Sequence, residues 1–232
     1  MRVLGLETSG DVTGVGLVDE RGVLAEISFR HGQQLSRLLQ PCLQQLLRMA
    51  GLRFSDLDGV AVSVGPGSFT GLRIGVTAAK SLAFAAGLPV VGVSTLEALA
   101  AEHPAPEGSS RWAVLTAAKT DVFAAGYEWR DGCPQCREAP AVISIEELGR
   151  RLATAPQAAV VARVSADQLR LLAPLAPGRV LLVSDASPCP ATVAAQGRLR
   201  LLAGEADPVH LLAPRYLLLS AAEAKRRAAV AS

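Results

Sequence analysis

The sequence predicts an α/β protein, and three observations carry that expectation. The first is a unit of strand, glycine-rich turn and helix. Val60-Ala61-Val62-Ser63-Val64 leads into Gly65-Pro66-Gly67-Ser68-Phe69-Thr70-Gly71-Leu72-Arg73-Ile74-Gly75, and a long run of small and apolar residues follows, closed by Gly87. The second is a meander of three short strand-like runs at the N-terminus that ends in a leucine stripe at helical spacing. The third is a second half in which strand-like and helix-like runs continue, with no repeat period between the halves.

In chain order, Val3 to Leu6 is a short apolar strand turned by Glu7-Thr8-Ser9-Gly10-Asp11. Residues Thr13 to Val18 return, and Val23 to Arg30 make a third strand after Asp19-Glu20-Arg21-Gly22. Leu35, Leu38, Leu39, Cys42, Leu43, Leu46 and Leu47 define a helix that Pro41 is expected to kink or restart and Gly51 to end. After the central unit, Val90 starts a short strand, and Ser94 or Thr95 caps a helix through Ala101. The stretch from Ala101 to Ser110, with Pro104, Pro106 and Gly108, is the clearest boundary. It divides the chain into residues 1–103 and 111–232. Beyond it, Trp112–Leu115, Val122–Trp129, Val142–Ile143, Ala158–Val164 and Arg179–Val183 read as strands. Ile145–Leu152 and Val193–Leu202 read as helices, and Ala221–Ala229 as a helix or frayed tail.

The central turn has the outline of a phosphate loop but not the spacing of the common ones. A Walker loop needs Gly-Lys-Ser/Thr after four intervening residues, and no lysine follows Gly71. A dinucleotide fingerprint needs glycine where Thr70 stands and an acid near the end of the next strand. The helix after the turn is poor in charge, with only Arg73 and Lys80. Gly71 and Gly75 lie one turn apart, and Ala79 and Ala83 continue their line. Glycine inside a helix costs about 1 kcal/mol against alanine, so two of them point to a close backbone approach. Two readings stay open: an internal core helix, or a helix half in the core and half in a subunit interface. The second reading makes Gly71, Leu72, Gly75 and Ala79, joined by Leu38 and Cys42 of the leucine-striped helix, the expected partner surface.

Composition excludes several classes. Of 232 residues, 50% are hydrophobic and 19% charged, which supplies a core, and the net charge of +2 does not by itself make a nucleic-acid surface. The apolar runs are broken by Gly, Pro or charge before they could span a bilayer, and Glu7 comes too early for a signal peptide. Four cysteines do not make a disulfide scaffold. The expectation is a reduced, cytoplasmic protein. Cys133-Pro134-Gln135-Cys136 reads as a hairpin loop rather than half a zinc site or a redox pair, since Cys42 and Cys189 are single and the motif lies between strand-like runs, not at a helix N-terminus. His31, His103 and His210 share no spacing, and no Ser/His/Asp set is nominated. Lys225-Arg226-Arg227 is a solvated tail, with RNA contact as its alternative.

The stretch Gly65–Gly75, the run Val91-Gly92-Val93-Ser94-Thr95-Leu96-Glu97-Ala98-Leu99, the opening Glu7-Thr8-Ser9 and the late Pro214-Arg215-Tyr216-Leu217 together resemble the TsaB (YeaZ) family. The second half resembles it less: Thr116-Ala117-Ala118-Lys119-Thr120-Asp121-Val122-Phe123-Ala124 lacks charges and a glycine that the family has there. The resemblance implies an actin-like, two-lobed α/β fold. It implies a subunit without catalytic residues, cofactor or metal, which dimerises when alone and supports a TsaD-like catalytic partner. It also implies a TsaE-like ATPase reached through the complex, indirect contact with tRNA and no membrane. TsaD-like proteins carry His-x-x-x-His where this chain has Thr95 and Leu99, and neither residue replaces a histidine ligand. Two other classes stay open. One is a stand-alone actin-like ATPase or small-molecule kinase, for which Thr116 to Asp121 is the place to look. The other is a peptidase, for which no nucleophile geometry is visible.

Overall fold

The computed structural model describes residues 1–30, 32, 34–155, 157–182 and 188–218. Lys225-Arg226-Arg227 and His31 lie outside the described residues, as does Val183 at the end of one expected strand.

Two five-stranded sheets are built by the same recipe. In the first, β1 (Val3–Glu7), β2 (Val12–Asp19) and β3 (Gly22–Arg30) form an antiparallel meander. Helix α1 (Leu35–Ala50) crosses to β4 (Gly59–Gly65), and α2 (Phe69–Ala86) crosses to β5 (Val90–Ser94). The strand order is β3-β2-β1-β4-β5, with β4 parallel to both β1 and β5. After α3 (Thr95–Ala101), strands β6 (Ser110–Thr116), β7 (Asp121–Arg130) and β8 (Cys133–Ser144) repeat the meander. Helix α4 (Ile145–Thr154) leads to β9 (Ala159–Arg163), and α5 (Ala166–Leu172) to β10 (Val180–Leu182). The second sheet runs β10-β9-β6-β7-β8, the mirror listing of the first. The halves thus share a topology although no repeat shows in the sequence, because a layered α/β unit constrains burial pattern and not residue identity.

Burial follows the layers. Leu35, Leu39, Leu43, Leu46 and Leu47 of α1 and Val76, Ala79 and Ala83 of α2 pack on Leu4, Leu6, Val15, Leu17, Val60 and Val62 of the first sheet. On the outer face of the second sheet, Ile145, Leu148 and Leu152 of α4 and Leu172 of α5 pack on Trp112, Val114, Val122 and Val160. Between the sheets, Leu96, Leu99 and Ala100 of α3 meet Leu115, Phe123, Tyr127 and Val161.

The expected division at residues 104–110 is corrected in one respect. Helix α6 (Pro190–Leu202), which that division assigns to the second lobe, packs on the first sheet through Ala191, Val193 and Ala194 against Val3, Val18, Ala61 and Val91. Gly5 and Gly16 allow this. A Cβ on Gly5 would come within 2.8 Å of Ala194 Cβ, and one on Gly16 within 2.7 Å of Ala191 Cα, both too close for carbon atoms. The chain beyond α6 stays on the first lobe. The Gly92 amide donates to Asp207 Oδ2 at 2.7 Å, and Lys80 Nζ donates to the carbonyls of His210 (3.2 Å) and Leu212 (3.0 Å). The Arg215 amide donates to the Val64 carbonyl at 2.7 Å.

Two smaller expectations change. Helix α1 does not restart at Pro41 but runs through it, because the buried leucines on either side hold both halves to one sheet at the cost of the hydrogen bond that Pro41 cannot donate. Cys133 and Cys136 lie within strand β8, since the turn is made earlier, by Asp131 (φ 53°) and Gly132 (φ 75°), and β8 pairs back on β7 from Cys133 onward.

Candidate functional site

Two surfaces stand out, a groove on the helix pair and a cleft between the lobes. Both are set by the turn that starts α2. Gly65 (φ 112°) and Gly67 (φ 159°) bracket Pro66, and the Ser68 side chain accepts from the Gly71 amide at 3.2 Å, capping α2. The Ser68 amide donates to the Ser9 carbonyl at 2.7 Å, so the turn is fastened to the first hairpin.

The structure splits the residues expected at a partner surface. Gly71, Leu72, Gly75 and Ala79 are all buried on the inner face of α2. Their neighbour is the chain's own Thr8: a Cβ on Gly71 would overlap the Thr8 carbonyl oxygen, and one on Gly75 would overlap Thr8 Oγ1. The close approach inferred from the two glycines is real, but it is made to the end of β1 and not to another subunit. The glycine line therefore serves the internal core and is not a docking face. Leu38 and Cys42 are half-buried on α1.

What the helix pair offers outward is a groove of about 400 Å³ beside that line. Leu39, Gln40 and Leu43 of α1 and Ile74, Ala78 and Leu82 of α2 form its walls, with Leu6 beneath and Arg73 and Thr77 at the rim. Sequence reading passed over Ile74, Ala78 and Leu82. Their signal was present, as an i, i+4, i+8 ridge one position from the glycine line. Farther along α2, Phe84 is 83% exposed, and Met49 at the end of α1 is 59% exposed.

The second surface is a cavity of about 590 Å³ between the lobes. The first lobe contributes Ser9, Asp11 and the Pro66–Phe69 turn, the second contributes Leu115, Thr116, Phe123, Arg163 and Ser165, and Arg215 and Tyr216 close one side. Tyr216 stacks on Phe69 with ring centroids 4.6 Å apart. Arg73 lies 3.9 Å over the Phe69 ring, and its Nε donates to Tyr216 Oη at 3.1 Å. The two charges of α2, Arg73 and Lys80, thus both hold the late segment onto the first lobe.

Charge is buried beneath the cavity. Glu7, at the carboxyl end of β1, is fully buried. Its Oε1 accepts from the Ser9 amide at 2.5 Å and its Oε2 has no partner. Desolvation pushes its carboxyl up to about 7, against the lowering effects of the Ser9 and Ser63 hydrogen bonds and the Arg163 charge. Arg163, at the carboxyl end of β9, lies 3.7 Å from Glu102 Oε2, and its Nε and Nη1 are buried without partners. Glu102 Oε1 accepts from the Cys189 amide at 2.5 Å, and burial raises the Glu102 carboxyl as well. The hairpin from Thr116 to Asp121 faces the cleft as the counterpart of Glu7-Thr8-Ser9. Thr116 Oγ1 is engaged there, donating to Gln168 Oε1 at 2.7 Å.

Thr95 and Leu99 are 1% and 0% exposed at the start of α3. Among the described residues, no group of three or more His, Cys, Asp or Glu side chains is arranged to hold a metal ion, and no helix is long and apolar enough to cross a membrane.

Comparison with known proteins follows the same lines. The family model described as TsaD, tRNA N6-adenosine threonylcarbamoyltransferase, matches residues 19–163. The tRNA threonylcarbamoyladenosine biosynthesis protein TsaB of Escherichia coli is 34% identical over 155 residues, covering 66% of each chain. The match therefore spans just under two thirds of that relative's length. The YeaZ structure from Pseudomonas aeruginosa superposes with a TM-score of 0.77 at 25% identity, covering 93% of this chain and 99% of that one. A ROK hexokinase from Thermus thermophilus, at 16% identity and a TM-score of 0.50 over 88% of this chain and 100% of its own, shares the fold alone. The two-lobed arrangement is thus the actin-like one, and with a match over more than half its length the chain belongs to the family whose model is described as TsaD, within which it is similar to TsaB (YeaZ).

Proposed function

We propose that this chain is a non-catalytic subunit in the synthesis of threonylcarbamoyladenosine in tRNA, holding and activating a TsaD-like catalytic partner. The observation that carries the reading is at residues 95 and 99. Thr95 and Leu99 stand where TsaD-like chains carry histidines, and both are buried, Leu99 in the core between the lobes. A leucine side chain has no lone pair, and one buried hydroxyl is a poor ligand for iron or zinc. The names of the relatives supply the pathway.

The groove of Ile74, Ala78 and Leu82 with Leu39 and Leu43 is the surface we assign to the partner. An apolar groove between two helices takes an amphipathic helix by the helix-in-groove mode. A second copy of this chain competes for the same groove when the partner is absent. In this reading a TsaE-like ATPase and tRNA are reached through the partner, and the setting is the cytoplasm. The test is co-purification with the TsaD-like protein of the same cell, with transfer of the threonylcarbamoyl group to tRNA measured with and without this chain. Transfer by the partner alone at the full rate would refute an activating role.

A second reading, a stand-alone ATPase or small-molecule kinase, rests on the interlobe cavity of about 590 Å³. Against it stand the absence of a Walker lysine after Gly71 and the glycine-free Thr116–Asp121 hairpin. Steady ATP turnover by the purified chain, at the usual enzyme rate of roughly 1–1000 per second, would favour it.

A further inference from the structure

The partner-facing groove does not use the charge buried under the interlobe cavity. Glu7 and Arg163 stand at the carboxyl ends of β1 and β9, the first strands of the parallel pairs in opposite sheets being β1 and β6. Each carries atoms of complementary kind without a partner: an acceptor on Glu7, Oε2, and two donors on Arg163, Nε and Nη1. Buried charges in native proteins are paired, since water is not there to solvate them. Arg163 has one carboxylate within ion-pair distance, Glu102 at 3.7 Å, beyond hydrogen-bond length, and Glu7 lies farther off but near enough to feel its charge. Glu7 belongs to the first sheet and is held by the Ser9 amide, while Glu102 follows α3 between the lobes and is held by the Cys189 amide at the start of α6. Arg163 comes from the second sheet and lines the cavity.

We infer that Arg163 is an interlobe clasp whose guanidinium is shared between Glu7 and Glu102, and that closing it onto Glu7 narrows the cavity and is relayed to the first turn of α2. A guanidinium suits this role because its planar fork can serve two carboxylates at once. The relay is a continuous hydrogen-bonded path. Glu7 Oε1 accepts from the Ser9 amide, the Ser9 carbonyl accepts from the Ser68 amide, and the Ser68 side chain caps α2 by accepting from Gly71. A shift of a fraction of an ångström at Glu7 therefore reaches the helix that walls the groove, and the two lobes supply a two-state element for it to bias. The clasp is a property of this chain alone, and it stands or falls independently of which partner occupies the groove.

The experiment is hydrogen–deuterium exchange on the full chain at pH 7.5, read by peptide mass for the hairpins 8–11 and 117–120 and the helix start 68–72. Glu7→Gln and Arg163→Met each remove one side of the clasp. Each is expected to speed exchange in all three segments about tenfold, and the double variant is expected to be no faster than the faster single. Arg163→Lys keeps the charge without the fork, is the milder change should Arg163→Met fold poorly, and is expected to fall between wild type and Arg163→Met. Arg170→Met, in an exposed pair with Asp167, is the control and should leave all three segments unchanged. Effects of the two single changes that multiply in the double variant, or singles that leave the hairpins at the wild-type rate, would overturn the clasp. A control that accelerates exchange equally would do the same.

Discussion

Replacing Gly75 by leucine separates an internal role for the α2 glycines from an interface role. Helix propensity alone favours the change by about 1 kcal/mol, so a glycine that only lined a docking face would be replaced with no loss of fold. The structure reverses that expectation. Gly75 is buried, and an added Cβ would overlap Thr8 Oγ1 and stand 3.1 Å from both Thr8 Cβ and Cγ2. Thr8 cannot retreat, since it is fully buried and its amide donates to Ser63 Oγ at 3.2 Å. Overpacking of a filled core costs about 1–3 kcal/mol, with four added carbons at the upper end. About 3 kcal/mol of strain less about 1 kcal/mol of propensity leaves a net loss of about 2 kcal/mol. For a chain of this size each kcal/mol lowers the melting temperature by about 2–4 °C, so a fall of roughly 4–8 °C is expected. Differential scanning calorimetry reads it. A double variant Gly75→Ala/Thr8→Ala should melt higher than Gly75→Ala, because removing Oγ1 and Cγ2 opens the space. A Gly75→Leu protein that melts at or above the wild-type temperature would refute the packing argument.

Three further outcomes are expected. Ala78→Glu, which puts a charge into the groove at a half-buried position on the edge of the core, should lower the melting temperature by about 2–4 °C, in keeping with about 1 kcal/mol for a typical single substitution. It should weaken association with the partner or a second copy at least tenfold, about 1.4 kcal/mol, by sedimentation. Glu7 holds its proton up to about 7 when folded, against an ordinary value of 4.5. The native state thus binds a proton that the unfolded chain releases, and this contribution is full below about 4.5 and lost as pH rises to about 7. Glu7→Gln should remove up to about 3 kcal/mol of that decline, measured by urea unfolding between pH 5 and pH 8; equal slopes in wild type and variant would count against it. Glu102 titrates in the same direction and remains in both proteins. Tyr216→Ala deletes the stack on Phe69 and the acceptor for Arg73, and should cost about 1–2 kcal/mol and expose residues 205–218 to proteolysis before the rest.

The sequence by itself determined the local elements. Short runs of apolar and small residues at Val3–Leu6 and Val60–Val64, the leucine spacing of α1 and the glycine stops at Gly51 and Gly87 are signals carried by neighbours in the chain, and the strands and helices stand where those signals lie. It also determined what residues 95 and 99 can do, because Thr and Leu lack imidazole chemistry wherever they sit. Only the tertiary structure decided which side of α2 faces inward. Gly71-Gly75-Ala79 and Ile74-Ala78-Leu82 are adjacent stripes on one helix, and a small-residue stripe fits a close strand as well as it fits a second subunit. The position of Thr8, set by strand pairing 50 or more residues away, chose between them. The same holds for α6, whose composition gives no hint that it returns to the first sheet, and for Arg163, an ordinary end-of-strand arginine until β9 brings it to the cavity wall beside Glu102. Contacts between residues distant in the chain are fixed by burial of whole faces, and a face has no partner until the fold has formed.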